Sequence, residues 1–211
     1  MAYDLQEQEE IAKLKAWWTE YGTMVIIVVI ACLVTVLGFL GWSYYQQQQA
    51  LSASTLFQQM EEAAFAKDHK RVRDIATQIE SGYRSTAYAS LAAFSASLAG
   101  VETGDLAGAK THLKWVIDNT REEEFVHLAR LRLATVLLDE KNHAEALALL
   151  EGKPAEAFAG LYADLKGDIL VAQGKPAEAR AAYQLAFDRS DAQSPYRALL
   201  QAKLDALGDA K

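Results

Sequence analysis

The sequence predicts an all-α protein with one membrane-crossing helix followed by a helical-repeat domain. Three observations carry this. Alanine, the strongest helix former, fills 38 of 211 positions. Nineteen residues from Met24 to Trp42 pass without a charge. Beyond them, small and apolar residues recur in the spacing of paired helices. Composition removes the other classes. At 51% apolar and 23% charged the chain is too apolar for disorder. β-Branched residues are scarce after the first 45 positions, against a sheet protein. One cysteine, Cys32, builds neither an internal disulfide nor a cysteine zinc site. A net charge of −7 excludes nucleic acid as a partner, since phosphate binding needs a basic surface.

The apolar run spans roughly 28 Å as a helix, about the hydrocarbon thickness of a bilayer. Aromatics flank it, Trp17, Trp18 and Tyr21 before and Trp42, Tyr44 and Tyr45 after, as suits side chains with an apolar body and a polar tip. The acidic residues ahead of it and its length argue for a retained anchor rather than a cleaved signal peptide. We therefore expect a cytoplasmic tail at residues 1–22, a transmembrane helix at 23–43 and a domain at 46–211 on the far side of the membrane, a side that the resemblance given below implies is the periplasm. Lys13 and Lys15 precede the span and no cation follows before Lys67, which sets the N-terminus inside. Leu5, Ile11, Leu14 and Trp18 make an apolar stripe suited to the inner interface. Within the span Ala31, Thr35, Gly38 and Trp42 share one face, where small residues permit close approach of another helix.

Gln46–Gln49 reads as a polar exit, followed by a short connection into the first helix of the domain. The most informative stretch is Gly160–Phe187. A small residue, Gly167, and an apolar one, Leu170, precede a turn at Gly174. Ala179, Tyr183 and Ala186 then form the packed face of a second helix. This is the helix–turn–helix frame of a tetratricopeptide repeat. The same frame falls on Ala134, Leu137 and Ala146, and on Ser97, Gly104 and Ala109. A weaker fourth copy centres on Ala76 with Ala64. The hexapeptide GKPAEA occurs at 152–157 and 174–179. Both copies read as a helix end followed by proline in the first turn of the next helix. Ser194-Pro195 opens a capping helix with Leu199, Leu200, Leu204 and Leu207 as its stripe and Asp205, Asp209 and Lys211 as its polar ending.

Catalytic signatures are absent: no phosphate loop, paired-histidine motif or nucleophile elbow. His69, His112, His127 and His143 lack ligand spacing, so no metal or cofactor is expected, and His127 reads as a surface partner of Glu123 or Glu124. Glu122–Glu124 reads as a solvated helix start. In the repeat frame the first helices present Leu91, Phe94, Leu98 and Val101, then Leu128, Leu131, Thr135 and Leu138, then Leu161, Asp164, Asp168 and Val171. Either these line an apolar groove for extended chains, or a short array closes over them and they are core.

The whole chain resembles the ancillary subunit family of the bacterial SecYEG translocon. The resemblance rests on Lys15-Ala16-Trp17-Trp18 and Glu20-Tyr21-Gly22 before the span, and on Gly41-Trp42 with Tyr44-Tyr45 after it. It continues through Leu128–Ala134, Asp164-Leu165 with Gly167-Asp168, and Gly174 with Ala179-Arg180 and Ala182-Tyr183. It implies a single-pass inner-membrane protein whose partners are the SecYEG translocon, a membrane-anchored periplasmic chaperone of the peptidyl-prolyl isomerase type, and exported client proteins. It implies a non-enzymatic adaptor linking those clients to periplasmic chaperones. A scaffold in envelope assembly or envelope-stress regulation is the alternative.

Overall fold

A computed structural model describes the backbone of residues 2–208 and the side chains of residues 9–208. The Leu5 side chain, Asp209 and Lys211 lie outside the described residues. Helices account for every regular element among them: α1 (Ala2–Phe65), α2 (His69–Gly82), α3 (Ala87–Thr103), α4 (Leu106–Asn119), α5 (Glu123–Asp139), α6 (His143–Leu149), α7 (Ala159–Ala172), α8 (Pro176–Arg189) and α9 (Tyr196–Ala206). The chain divides into two compact units, Met1–Gln49 and Ala50–Lys211.

The first unit is helical from Ala2 onward and contains the one described stretch long and apolar enough to cross a membrane. Its apolar side chains, Ile26 to Leu40, are exposed within the chain, an arrangement that suits lipid and not water. Trp17 stacks near Trp18 and Tyr21, and Trp42 near Tyr45. Gly22 makes room for the Trp18 indole, which a Cβ would approach to 3.1 Å. The short connection expected after Gln49 is absent. No glycine or proline stands between Gly41 and Gly82, so nothing interrupts helical bonding until Phe65.

In the second unit, helices alternate between a first layer (the last turns of α1, α3, α5, α7) and a second layer (α2, α4, α6, α8). Each first-layer helix turns into its partner through a left-handed residue: Lys67 (φ 55°), Gly104 (φ 78°), Lys141 (φ 61°) and Gly174 (φ 73°). Asp68, Asn142 and Lys175 donate their backbone N–H to Ala63, Leu137 and Leu170, closing the preceding helix at 2.8–2.9 Å. Asp68 and Asp105 then accept from Arg71 N–H and Gly108 N–H, each at 3.0 Å, to start the next.

These turns fix the register and correct one assignment. Counted from the turns, the equivalent first-helix positions are Met60, Ser97, Ala134 and Gly167, and the equivalent second-helix positions are Val72, Ala109, Ala146 and Ala179. The last three pairs agree with the sequence frame. The fourth copy does not: Ala64 is exposed, and the buried residues are Met60, Ala63 and Val72. Ala76 is core, but one helical turn further on. Met60 and Val72, larger than the residues at these positions in the other copies, hid the frame.

The duplicated hexapeptide also divides. In the second copy Pro176 opens α8 in its first turn. In the first, α6 stops at Leu149, Gly152 adopts φ 97°, and Pro154 lies in an irregular stretch before a short 3-10 turn, Glu156–Phe158. Proline there does not start a helix, and α7 begins only at Ala159. In α9, Leu200 and Leu204 are buried and Leu207 is half-buried. Leu199 faces solvent, because a neighbour of Leu200 lies about 100° round the helix.

Candidate protein-interaction site

The first-layer helices carry the side chains predicted to bind other chains, and the structure separates them into three groups. Leu91, Leu98 and Val101 on α3, with Leu161 and Val171 on α7, are exposed apolar residues, Leu98 at 57%. Leu128, Leu131 and Leu138 on α5 are half-buried against the central core. Leu91, Leu128 and Leu161 occupy one register position of successive helices, and Val101, Leu138 and Val171 another, so they form two apolar rows. Thr135, exposed between them, spends its hydroxyl on Leu131 O at 3.0 Å.

Phe94 is not part of this surface. It is 6% exposed, meets Phe125 edge-on at 6.0 Å between centroids, and carries the Arg132 guanidinium over its ring at 4.8 Å. Its position points toward the next first-layer helix, as does that of Phe57, which packs against Tyr88 at 5.6 Å. Aromatic residues begin each following first-layer helix: Tyr88, Phe125, Phe158 and Tyr196. Sequence reasoning passed over this row, although its spacing of 33 to 38 residues was visible.

Asp164 and Asp168 also leave the groove, because α9 covers them. Lys203 Nζ lies 2.8 Å from Asp164 Oδ1 and 2.7 Å from Asp168 Oδ1. Tyr196 donates its hydroxyl to Asp164 at 2.5 Å and Tyr183 donates to Asp168 at 2.7 Å. Burial pushes both phenols above the ordinary tyrosine range, and the facing carboxylates add to the rise. Burial opposes the Lys203 charge, but the hydrogen bonds and charges of Asp164 and Asp168 outweigh it and raise its pKa. Arg197 completes the cap, donating to Phe187 O and Ser190 O with its guanidinium 3.7 Å above the Phe187 ring.

His127 is not a surface partner of Glu123 or Glu124. Its Nδ1 sits 2.9 Å from Tyr162 Oη, its Nε2 accepts the Ala155 N–H at 3.3 Å, and its ring lies 5.1 Å from Phe158. It therefore fastens the irregular 150–158 stretch to α5. His112 pairs with Glu80 at 2.6 Å in the core, joining α2 to α4. No group of three metal-ligating side chains occurs among the described residues. Glu122 stands at the N-cap position of α5, its carboxylate accepting from the Thr120 hydroxyl and Arg121 N–H, with Glu123 and Glu124 in the exposed first turn.

On the span face, Ala31, Thr35, Gly38 and Trp42 are all exposed. The Thr35 hydroxyl donates to Ala31 O at 2.8 Å, so its polarity is spent within the helix. A Cβ at Gly38 would meet nothing within 4 Å.

A family model for a tetratricopeptide repeat-like domain matches residues 15–209. The ancillary SecYEG translocon subunit of Neisseria gonorrhoeae is 32% identical over 212 residues, covering 98% of this chain and all of that one. The chain belongs to this family. The corresponding subunit of Haemophilus influenzae is 29% identical, over 88% of this chain and 91% of its own. That of Escherichia coli is 26% identical, over 95% and 96% respectively. No solved structure matches the chain. The family match and the helix α1 together describe a helical-repeat protein with one candidate span, which fits a single-pass membrane protein.

Proposed function

We propose that this chain is a non-enzymatic ancillary subunit of the Sec translocon, a tethered adaptor that passes exported proteins to periplasmic chaperones. The tail would occupy residues 1–22 in the cytoplasm, the span residues 23–43 in the inner membrane, and the repeat domain residues 46–211 in the periplasm. The observation that carries the reading is the exposed apolar surface of the first-layer helices α3 and α7, with Leu128, Leu131 and Leu138 of α5 half-buried between them. A folded domain gains nothing by leaving Leu91, Leu98, Val101, Leu161 and Val171 in water, and such rows suit unfolded or extended apolar segments. Near full-length similarity to relatives named as SecYEG subunits supports the location. The span face Ala31, Thr35, Gly38 and Trp42 would contact the translocon. Leu91, Leu98, Leu128, Leu131, Leu138 and Leu161 would contact clients or the peptidyl-prolyl isomerase-type chaperone.

Photocrosslinking in intact cells tests both ends, with probes at Thr35, Leu98 and Leu161. Crosslinks from Thr35 to a translocon subunit, and from the other two to nascent exported chains or the chaperone, are expected. Crosslinks from Leu98 and Leu161 only to unrelated envelope proteins would remove the adaptor role.

A further inference from the structure

The second-layer helices α2, α4 and α8 each run fourteen residues, whereas α6 stops after seven. The irregular 150–158 stretch runs where its last two turns would lie. A non-helical strand is thinner than a helix, and an open cleft of about 290 Å³ remains between that stretch, α7 and α8. Its apolar lining comes from Leu150 and Pro154 of that stretch, Ala159, Tyr162 and Ala163 on α7, and Leu185 on α8. Leu185 is half exposed at the second-layer surface. The cleft continues along the α7–α8 seam into a second hollow of about 320 Å³ that shares Ala163, Lys166 and Leu185 and ends at Glu178.

Charge is unevenly placed around it. Lys153 and Lys166 line the end nearest the missing turns, and neither has a hydrogen bond or ion pair among the described residues. Arg189 stands beside them, held by Glu156 at 2.7 Å. Two unpaired cations and a third held only by an exposed carboxylate thus gather over an apolar floor, in a chain whose net charge is −7. The one acidic group along the lining without such a partner, Glu178, is at the opposite end.

We propose that this trough is a second docking surface, which takes a short amphipathic helix of a partner protein. The partner helix would lie beside the 150–158 stretch, along the α7–α8 seam. One or two apolar side chains enter over Tyr162, Ala163 and Leu185, and its acidic residues sit by Lys153 and Lys166. Glu178 fixes the direction by repelling the acidic end. This surface lies along the α7–α8 seam and shares no residue with the apolar rows of the first layer.

The test uses the full chain in nanodiscs and a labelled twelve-residue amphipathic peptide, its polar positions filled with glutamate at one end. A second peptide keeps the apolar face and replaces each glutamate with lysine. Fluorescence anisotropy should show the acidic peptide binding at least tenfold more tightly, with the preference shrinking as salt is raised. Lys166→Glu, an exposed change that leaves the core intact, should cost the acidic peptide tenfold or more. Ala159→Trp, which fills the cleft from α7, should weaken it with helicity unchanged by circular dichroism. Equal binding of the two peptides, or unchanged binding to Lys166→Glu, would overturn the proposal. So would full displacement of the peptide by a free fatty acid, which would make the trough a lipid site. Leu98→Asp should leave the peptide affinity unchanged, so failure here and failure of the adaptor reading are separable.

Discussion

Replacing Gly167 by alanine sets two effects of opposite sign against each other. Gly167 lies inside α7, where alanine gains about 1 kcal/mol of helix propensity. Its Cβ, however, would come within 2.5 Å of Tyr183 Cδ1 and 3.0 Å of Cζ. That ring cannot swing aside cheaply. Its hydroxyl is tied to Asp168 at 2.7 Å, Lys203 stands over its face at 5.2 Å, and it is buried between α7 and α8. Helix separation or a strained rotamer is then required, an overpacking cost of about 1–3 kcal/mol. Because the shortest contacts are well inside van der Waals range, the upper half of that interval applies. The net loss is about 1–2 kcal/mol, or roughly 3–6 °C in melting temperature for a domain of this size. Thermal melts of the full chain in detergent, followed by circular dichroism, read this directly. Gly160→Ala is the control: its Cβ meets Ala186 O at 3.5 Å, an ordinary contact, so it should be neutral or slightly stabilising. In the double variant with Tyr183→Leu, the loss from Gly167→Ala should shrink. A Gly167→Ala protein that melts at or above the parent temperature would show that the α7–α8 seam is looser than its geometry states.

Four further outcomes can be checked. Lys203→Met leaves the buried Asp164 and the half-buried Asp168 without their cation and should destabilise the cap by about 2–4 kcal/mol, read as earlier proteolysis of α9. Because folding raises the Lys203, Tyr183 and Tyr196 pKa values, their contribution is complete below the ordinary lysine and tyrosine values and is lost as pH rises through the folded ones. Alkaline titration should therefore release α9, with these tyrosines ionising later than those of the unfolded chain; ionisation in step with the unfolded chain would contradict the assignment. Phe94→Asp should unfold the domain, since truncating such a buried ring alone costs about 3–5 kcal/mol. Leu98→Asp should leave the melt unchanged and reduce client crosslinking. Lys141→Gly relieves a left-handed residue and should raise stability by about 1 kcal/mol, while Gly104→Ala should lower it by a similar amount; a destabilised Lys141→Gly would mean that its side chain does more than turn the chain.

Certain features were legible from local chemistry alone. An uncharged run bounded by aromatics needs no tertiary information, because its partner is a solvent. Helix content follows from alanine. Three of the four repeat units were readable because Gly167, Ala134 and Ser97 in the first helices and Ala179, Ala146 and Ala109 in the second are small and buried, and only small residues fit where two helices approach closely. The fourth was misplaced by one turn because Met60 and Val72 stand where the other units have small residues.

What tertiary structure decided is which side of each helix meets another. Phe94 and Leu98 are both apolar and four residues apart, yet α5 buries the first and nothing within the repeat domain covers the second. Asp164 and Asp168 read as solvated groove positions until α9, some forty residues later, brings Lys203, Tyr196 and the Tyr183 hydroxyl network to them. The two copies of GKPAEA make the same point without any change of sequence. Pro176 starts a helix because Leu170 and Val171 have already closed α7 onto the turn before it, whereas Pro154 lies in an extended stretch held by His127 and Phe158. Sequence sets what each residue can do alone. Burial, and the partner a side chain finds there, depends on segments that only the folded chain brings together.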